Sequence, residues 1–283
     1  MRVLLHASSA GIESDDLVRA LVSGFLVVIA ASLVGTWVVL RGLAFLGEAL
    51  SHAVIPGAAA GLLLGFDPVL GAAVSAAVLV AGIGLVDRRA RVGHDASIGL
   101  LFVGLLSVGL VALTSDHEDE VERLLFGDIA RTDWGDIALQ GVAALVVVAA
   151  CVVGYRAFLA LSFNEDKAAT LGLRPGLAHV ALLALVAVAV VASFRSAGSL
   201  LVFGLLVGPP ATALILVRRV WACMLLSVAL GWVAVVLGLV IAYRADTPAG
   251  ATMAAASVAM FFLVLLGQEL ATLAHRRTAL ASA

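Results

Sequence analysis

The segment Arg41–Gly57, "RGLAFLGEALSHAVIPG", places a carboxylate (Glu48) and an imidazole (His52) four residues apart within an otherwise apolar run. That run is one of nine. Apolar stretches of about 17 to 25 residues, the length that crosses a bilayer, occur at Leu17–Leu40, Leu43–Phe66, Val69–Val86, Ser97–Ser115, Trp134–Val153, Leu177–Phe194, Ser199–Val217, Trp221–Tyr243 and Ala249–Leu266. Composition points the same way. Of 283 residues 63% are hydrophobic and 13% charged, with mean hydropathy +1.16, whereas a soluble domain carries about twice that charged share. The fold class is all-α, a polytopic membrane protein with about nine transmembrane helices.

The gaps between runs set the orientation, because cytoplasmic loops hold the excess Arg and Lys. Arg41, Arg88, Arg89, Arg91, Arg156, Lys167, Arg174, Arg218, Arg219, Arg276 and Arg277 share one side, eleven of the 17 basic residues. That side is taken as cytoplasmic, so the N-terminus is outside and the C-terminus inside. The acids run the other way, with 13 of 19 outside, which presents a negative face to an arriving cation. Three regions follow: an external arm over 1–16, too acidic at its exit for a secretory signal; a single membrane domain over 17–267; and a cytoplasmic tail over 268–283. Cys151 and Cys223 lie in apolar runs without a C-x-x-C pattern and read as small core residues.

Glu48 lies about 10 Å beyond Arg41 along a helix and His52 about 6 Å further, so both belong at membrane depth. A spacing of four stacks them on one face, where a carboxylate oxygen and an imidazole nitrogen can share one ion. Mn²⁺ and Zn²⁺ accept that donor mixture. Ionisable groups at this depth cost several kcal/mol unless they face a partner or a wet path; the bland reading is an acid–base pair that fixes packing. Two ligands make a poor metal site, and a two-fold dimer would supply four. Gly57, Gly61 and Gly65 form a double G-x-x-x-G on the far side of the helix from His52, a face for close packing. Pro56 removes a backbone donor and is expected to kink the helix.

"RGLAFLGEALSHAVIPG" resembles the second-span signature of the permease subunits of ATP-binding-cassette importers for zinc and manganese. The resemblance extends through "LLFGDI" (Leu124–Ile129), "SFNEDKAATLGL" (Ser162–Leu173), "GSLLVFGLLVGPPATA" (Gly198–Ala213) and "DTPAG" (Asp246–Gly250), almost the whole chain. It implies a permease of the type II importer kind in a prokaryotic plasma membrane. Its implied site is metal coordination by Glu48 and His52. Many relatives carry aspartate where this chain has Glu48; the longer arm keeps the charge and alters the depth or denticity of coordination.

The loop at about 162–175 reads as a short amphipathic helix through Asp166, Lys167, Ala168, Leu171 and Gly172, with an acidic start and a glycine stop. The resemblance makes it the coupling helix for a cytoplasmic ATPase. Lys167 is the chain's one lysine and no G-x-x-x-x-G-K-[ST] surrounds it, so ATP hydrolysis is expected on a separate subunit; the resemblance implies a transport subunit rather than an enzyme, with no catalytic cofactor. Gly208-Pro209-Pro210 is expected to break the seventh span near the path. The cluster Asp116-His117-Glu118-Asp119-Glu120 reads as a solvated outer loop, with metal capture as the alternative. The expected partners are the ATPase, an external metal-binding protein, a second copy and membrane lipid, with no nucleic acid. The competing reading is an ATP-independent secondary metal/proton transporter in which Glu48 and His52 relay protons; the second half holds no matching acid–histidine pair, which weighs against it.

Overall fold

The computed structural model describes residues 14–89, 94–112, 132–163, 173–245 and 247–281, and every regular element within them is an α-helix. In chain order these are α1 (Ser14–Leu40), α2 (Ala44–Leu64), α3 (Pro68–Arg89), α4 (His94–Ala112), α5 (Trp134–Val153), α6 (Tyr155–Phe163), α7 (Pro175–Leu216), α8 (Val220–Ala245) and α9 (Ala249–Ala281). Among the described residues seven helices are long and apolar enough to cross a membrane. One of them, α7, has 42 residues and is two helices joined at Gly198. With both arms of α7 and the shorter apolar helix Asp95–Gly109, the expected nine spans are present.

Gly198 has φ 70° and ψ 161°, a region essentially closed to side-chain-bearing residues. The chain reverses there. His179, early in α7, meets Arg41 at one end of the molecule, with the Arg41 Nη1 donating to His179 Nδ1 at 2.8 Å. Ser196 accepts a hydrogen bond from Gln140 Nε2, in the second turn of α5 at the other end. Beyond Gly198, Leu206 lies against Gly35 and Gly47, back toward Arg41. The helix then runs through Pro209 and Pro210 without a non-helical residue. Gly198 is the turn between the expected sixth and seventh spans, and no non-helical residue marks the break expected at the prolines themselves. Proline's fixed φ is itself helical, and the Leu206 carbonyl that Pro210 cannot bond faces Gly35, where a β-carbon would collide with it.

Small residues set the other crossings. Gly57 of α2 and Gly71 of α3 each occupy a place where a β-carbon would collide with the other's carbonyl. Gly204 meets Ala254 of α9, and Ser257 of α9 donates to the Gly204 carbonyl at 2.8 Å beside Gly208. Gly238 of α8 meets Met253. Such backbone proximity replaces the hydrophobic drive that lipid removes.

The last helix continues to Ala281, beyond the span that its apolar run marks, and α1 begins at Ser14 with Asp15 and Asp16 in its first turn. Acids there complement the positive end of the helix dipole.

Candidate metal site

Helix α2 is fenced by two glycine turns. The Leu43 N–H bonds Val38 O at 2.9 Å and the Gly42 N–H bonds Val39 O at 3.1 Å, while Phe66 and Gly65 bond Gly61 O and Leu62 O in the same way at 2.9 and 3.4 Å. These are Schellman closures, with Gly42 (φ 68°) and Gly65 (φ 76°) in the left-handed conformation that glycine adopts without strain. Gly65 is therefore a helix stop. A β-carbon there would meet nothing within 4 Å, so the packing face expected to include it ends at Gly61, which lies against Pro68 and Asp67. The Asp67 side chain then caps α3 by accepting the Val69 N–H at 2.7 Å.

Between these stops, Leu46, Gly47, Ala49, Leu50, Ser51, Ala53 and Val54 are buried, whereas Phe45, Glu48 and His52 form one stripe that stays partly open. Glu48 Oε1 and His52 Nε2 stand 3.3 Å apart, with side chains 34% and 17% exposed. Two donors each about 2.1 Å from one ion and so separated would subtend about 100°, between the octahedral and tetrahedral angles. The same separation also serves a plain acid–base pair. Among the described residues no three His, Cys, Asp or Glu side chains cluster to hold a metal, so the pair is at most half of a coordination sphere.

Pro56 lies in α2 one turn past His52, buried, and its missing N–H leaves the His52 carbonyl without the usual helical donor. Helix α3 braces this turn, with Ser75 Oγ donating to Ala53 O at 2.6 Å next to the Gly57/Gly71 crossing. Helix α4 covers the site from the other side. Its Phe102 ring lies 6.1 Å from the His52 ring, centroid to centroid, and its Gly109 approaches Pro56 so closely that a β-carbon would lie 2.6 Å from the proline Cβ.

Gly208, Pro209 and Pro210 stand apart from the pair, buried in the returning arm of α7 against α9 and α8: Gly208 touches Ser257, and Pro210 O is 3.9 Å from Cys223 Sγ. The residues expected to couple to an ATPase, Asp166, Lys167, Ala168, Leu171 and Gly172, lie outside the described residues, as do the acidic cluster Asp116–Glu120 and the segment Leu124–Ile129. Sequence reasoning missed Phe102, Gly71 and Ser75. An aromatic or small residue in an apolar helix carries no mark of what it touches until the helices are packed.

The family model described as the ABC 3 transport family matches residues 13–268. The chain belongs to that family. It is 31% identical over 248 residues to the manganese import system permease protein ScaB of Streptococcus parasanguinis, covering 87% of this chain and 88% of that one. It is 27% identical over 288 residues to the chelated iron transport system membrane protein YfeD of Yersinia pestis, covering 99% and 94%. Among solved structures, PsaBC from Streptococcus pneumoniae in complex with Fab superposes with a TM-score of 0.79 at 27% identity, over 88% of this chain and 90% of that chain. With its apolar spans, this ABC 3 family chain is a multi-pass permease of an ABC metal transporter in the plasma membrane.

Proposed function

We propose that this chain is the permease of an ATP-driven importer for Mn²⁺, working as a homodimer in which Glu48 and His52 of both copies form one transit site. The observation that carries this is the Glu48–His52 pair, 3.3 Å apart, half-open in the middle of an apolar span that supplies no third ligand among the described residues. A second copy related by a two-fold axis completes it with two oxygens and two nitrogens. The hard carboxylate suits Mn²⁺, and the streptococcal relative is named for manganese import. Fe²⁺ is the second reading, favoured by the name of the Yersinia relative; Zn²⁺ accepts the same donors.

In this reading ATP is hydrolysed by a separate cytoplasmic subunit docked on the loop around Asp166–Gly172, and an external metal-binding protein delivers the ion to the acidic outer face. The N-terminus is outside. The ligands replace part of the ion's hydration with modest affinity, since a site that holds too tightly does not release.

The test is Mn²⁺, Fe²⁺ and Zn²⁺ uptake into proteoliposomes holding the permease, its ATPase and its binding protein. Uptake that needs ATP and is lost in both Glu48→Ala and His52→Ala, while the complex still assembles, is expected. Full uptake in both variants would reduce the pair to packing. Uptake driven by a proton gradient without ATP would transfer the chain to the secondary carriers.

A further inference from the structure

A histidine that binds a metal through one ring nitrogen is ordinarily aimed by a hydrogen bond from the other nitrogen to a carboxylate, a carbonyl or water. His52 turns Nε2 toward Glu48. Its Nδ1 is open to water, and among the described residues the ring's aromatic neighbour is Phe102, at 6.1 Å and 43°. That distance lies in the range of favourable aromatic pairs. The side chain packed beside the ring is therefore an aromatic one.

The contact is held in register from both ends. A β-carbon at Gly99 would fall 3.7 Å from the Phe45 ring, and one at Gly109 would fall 2.6 Å from Pro56 Cβ. The contacts at residues 99, 102 and 109 of α4 fall in the same order as those at 45, 52 and 56 of α2, so the two helices run parallel. The Gly109 contact brings α4 against α2 at Pro56, one turn from His52, and so places Phe102 beside the imidazole.

We propose that Phe102 is the positioning residue of the transit site, whose ring contact holds His52 Nε2 facing Glu48 and so fixes the geometry offered to the ion. This rests on the reading of Glu48 and His52 as metal ligands. The rigidity of a ligand set contributes to selection among divalent ions, which makes Phe102 a determinant of selectivity as well as affinity.

The experiment measures Mn²⁺ binding to the purified intact permease by equilibrium titration and by electron paramagnetic resonance, whose line shape reports coordination symmetry. The proteins are wild type, Phe102→Ala, Phe102→Leu, Phe102→Tyr and His52→Ala. Phe102→Ala and Phe102→Leu are expected to weaken Mn²⁺ binding about tenfold, the lower end of effects from residues that orient a ligand, and to broaden the signal. Phe102→Tyr, which keeps the ring, is expected to restore both. A role in packing alone would lower the yield of folded protein and leave the affinity and line shape of the folded fraction unchanged; that result in Phe102→Ala, or in Phe102→Leu should the alanine variant not fold, overturns the proposal. If His52→Ala binds Mn²⁺ as wild type does, or if wild type binds none, the ligand reading itself fails and the positioning role with it.

Discussion

Gly57→Ala tests the closest helix crossing beside the candidate site. A β-carbon there would stand 2.5 Å from Ser75 Cβ and 2.7 Å from the Gly71 carbonyl carbon, against the 3.4 Å at which ordinary contact begins. Backbone and short side chain cannot swing away, so α2 and α3 must part by about 1 Å, an overpacking that costs about 1–3 kcal/mol. The same movement stretches the 2.6 Å bond from Ser75 Oγ to Ala53 O past useful length, adding about 1 kcal/mol. The sum of about 2–4 kcal/mol corresponds to a fall of roughly 5–15 °C in Tm for a domain of this size. Thermal unfolding of the detergent-solubilised permease, followed by tryptophan fluorescence, measures it. The controls are Gly84→Ala and Gly104→Ala, helical positions with nothing within 4 Å of a β-carbon, where alanine should stabilise by up to about 1 kcal/mol. A Gly57→Ala protein that melts with wild type would refute the backbone-to-backbone approach of α2 and α3.

Gly198→Ala forces an L-residue into φ 70°, ψ 161° at a cost of about 1–3 kcal/mol; the same melting assay should show it as one of the more damaging glycine substitutions, and a neutral outcome would mean that the turn is built differently. Gly35→Ala should lower both Tm and the yield of assembled complex, because the added carbon meets the Leu206 backbone, with the carbonyl carbon 2.8 Å away. Asp136→Asn, which removes the 3.6 Å pair with a half-exposed Arg195, should cost under about 1 kcal/mol, and a large loss of stability would show that pair to be an anchor of the hairpin.

Hydropathy alone located the spans because each is apolar over a length that crosses a bilayer. Trp134–Val153 was bounded to the residue, since Asp133 and Gly154 punctuate the run at both ends. Where helix and membrane end at different places the sequence pattern follows the membrane: α9 continues past Leu266 through Gly267, Gln268, Glu269 and Thr272 to Ala281, because polar residues and a single glycine, with no proline, do not stop a helix. The Glu48–His52 pair was legible because the α-helical period alone brings i and i+4 together. Gly65 was not, since a G-x-x-x-G spacing cannot tell a glycine kept for contact from one kept for its positive φ. Phe102 needed the register of α4 on α2, which is set by Gly109 against Pro56 and leaves no trace in either helix read by itself.

The place of Leu206 has a mechanical consequence. Its backbone is jammed against Gly35 of α1, while its side chain fills the space beside Gly47, where a β-carbon would lie 2.5 Å from Cδ2. Gly47 immediately precedes Glu48. One residue thus pins the return arm of α7, the end of α1 and the turn that carries the carboxylate as a three-body joint with few independent degrees of freedom. A displacement of the α7 arm along its axis cannot be absorbed locally by side-chain rotation on α1, since what meets there is main chain. It reaches the turn bearing Glu48 only through the end of the Leu206 side chain at Gly47, so α1 takes the load first and the carboxylate's turn second.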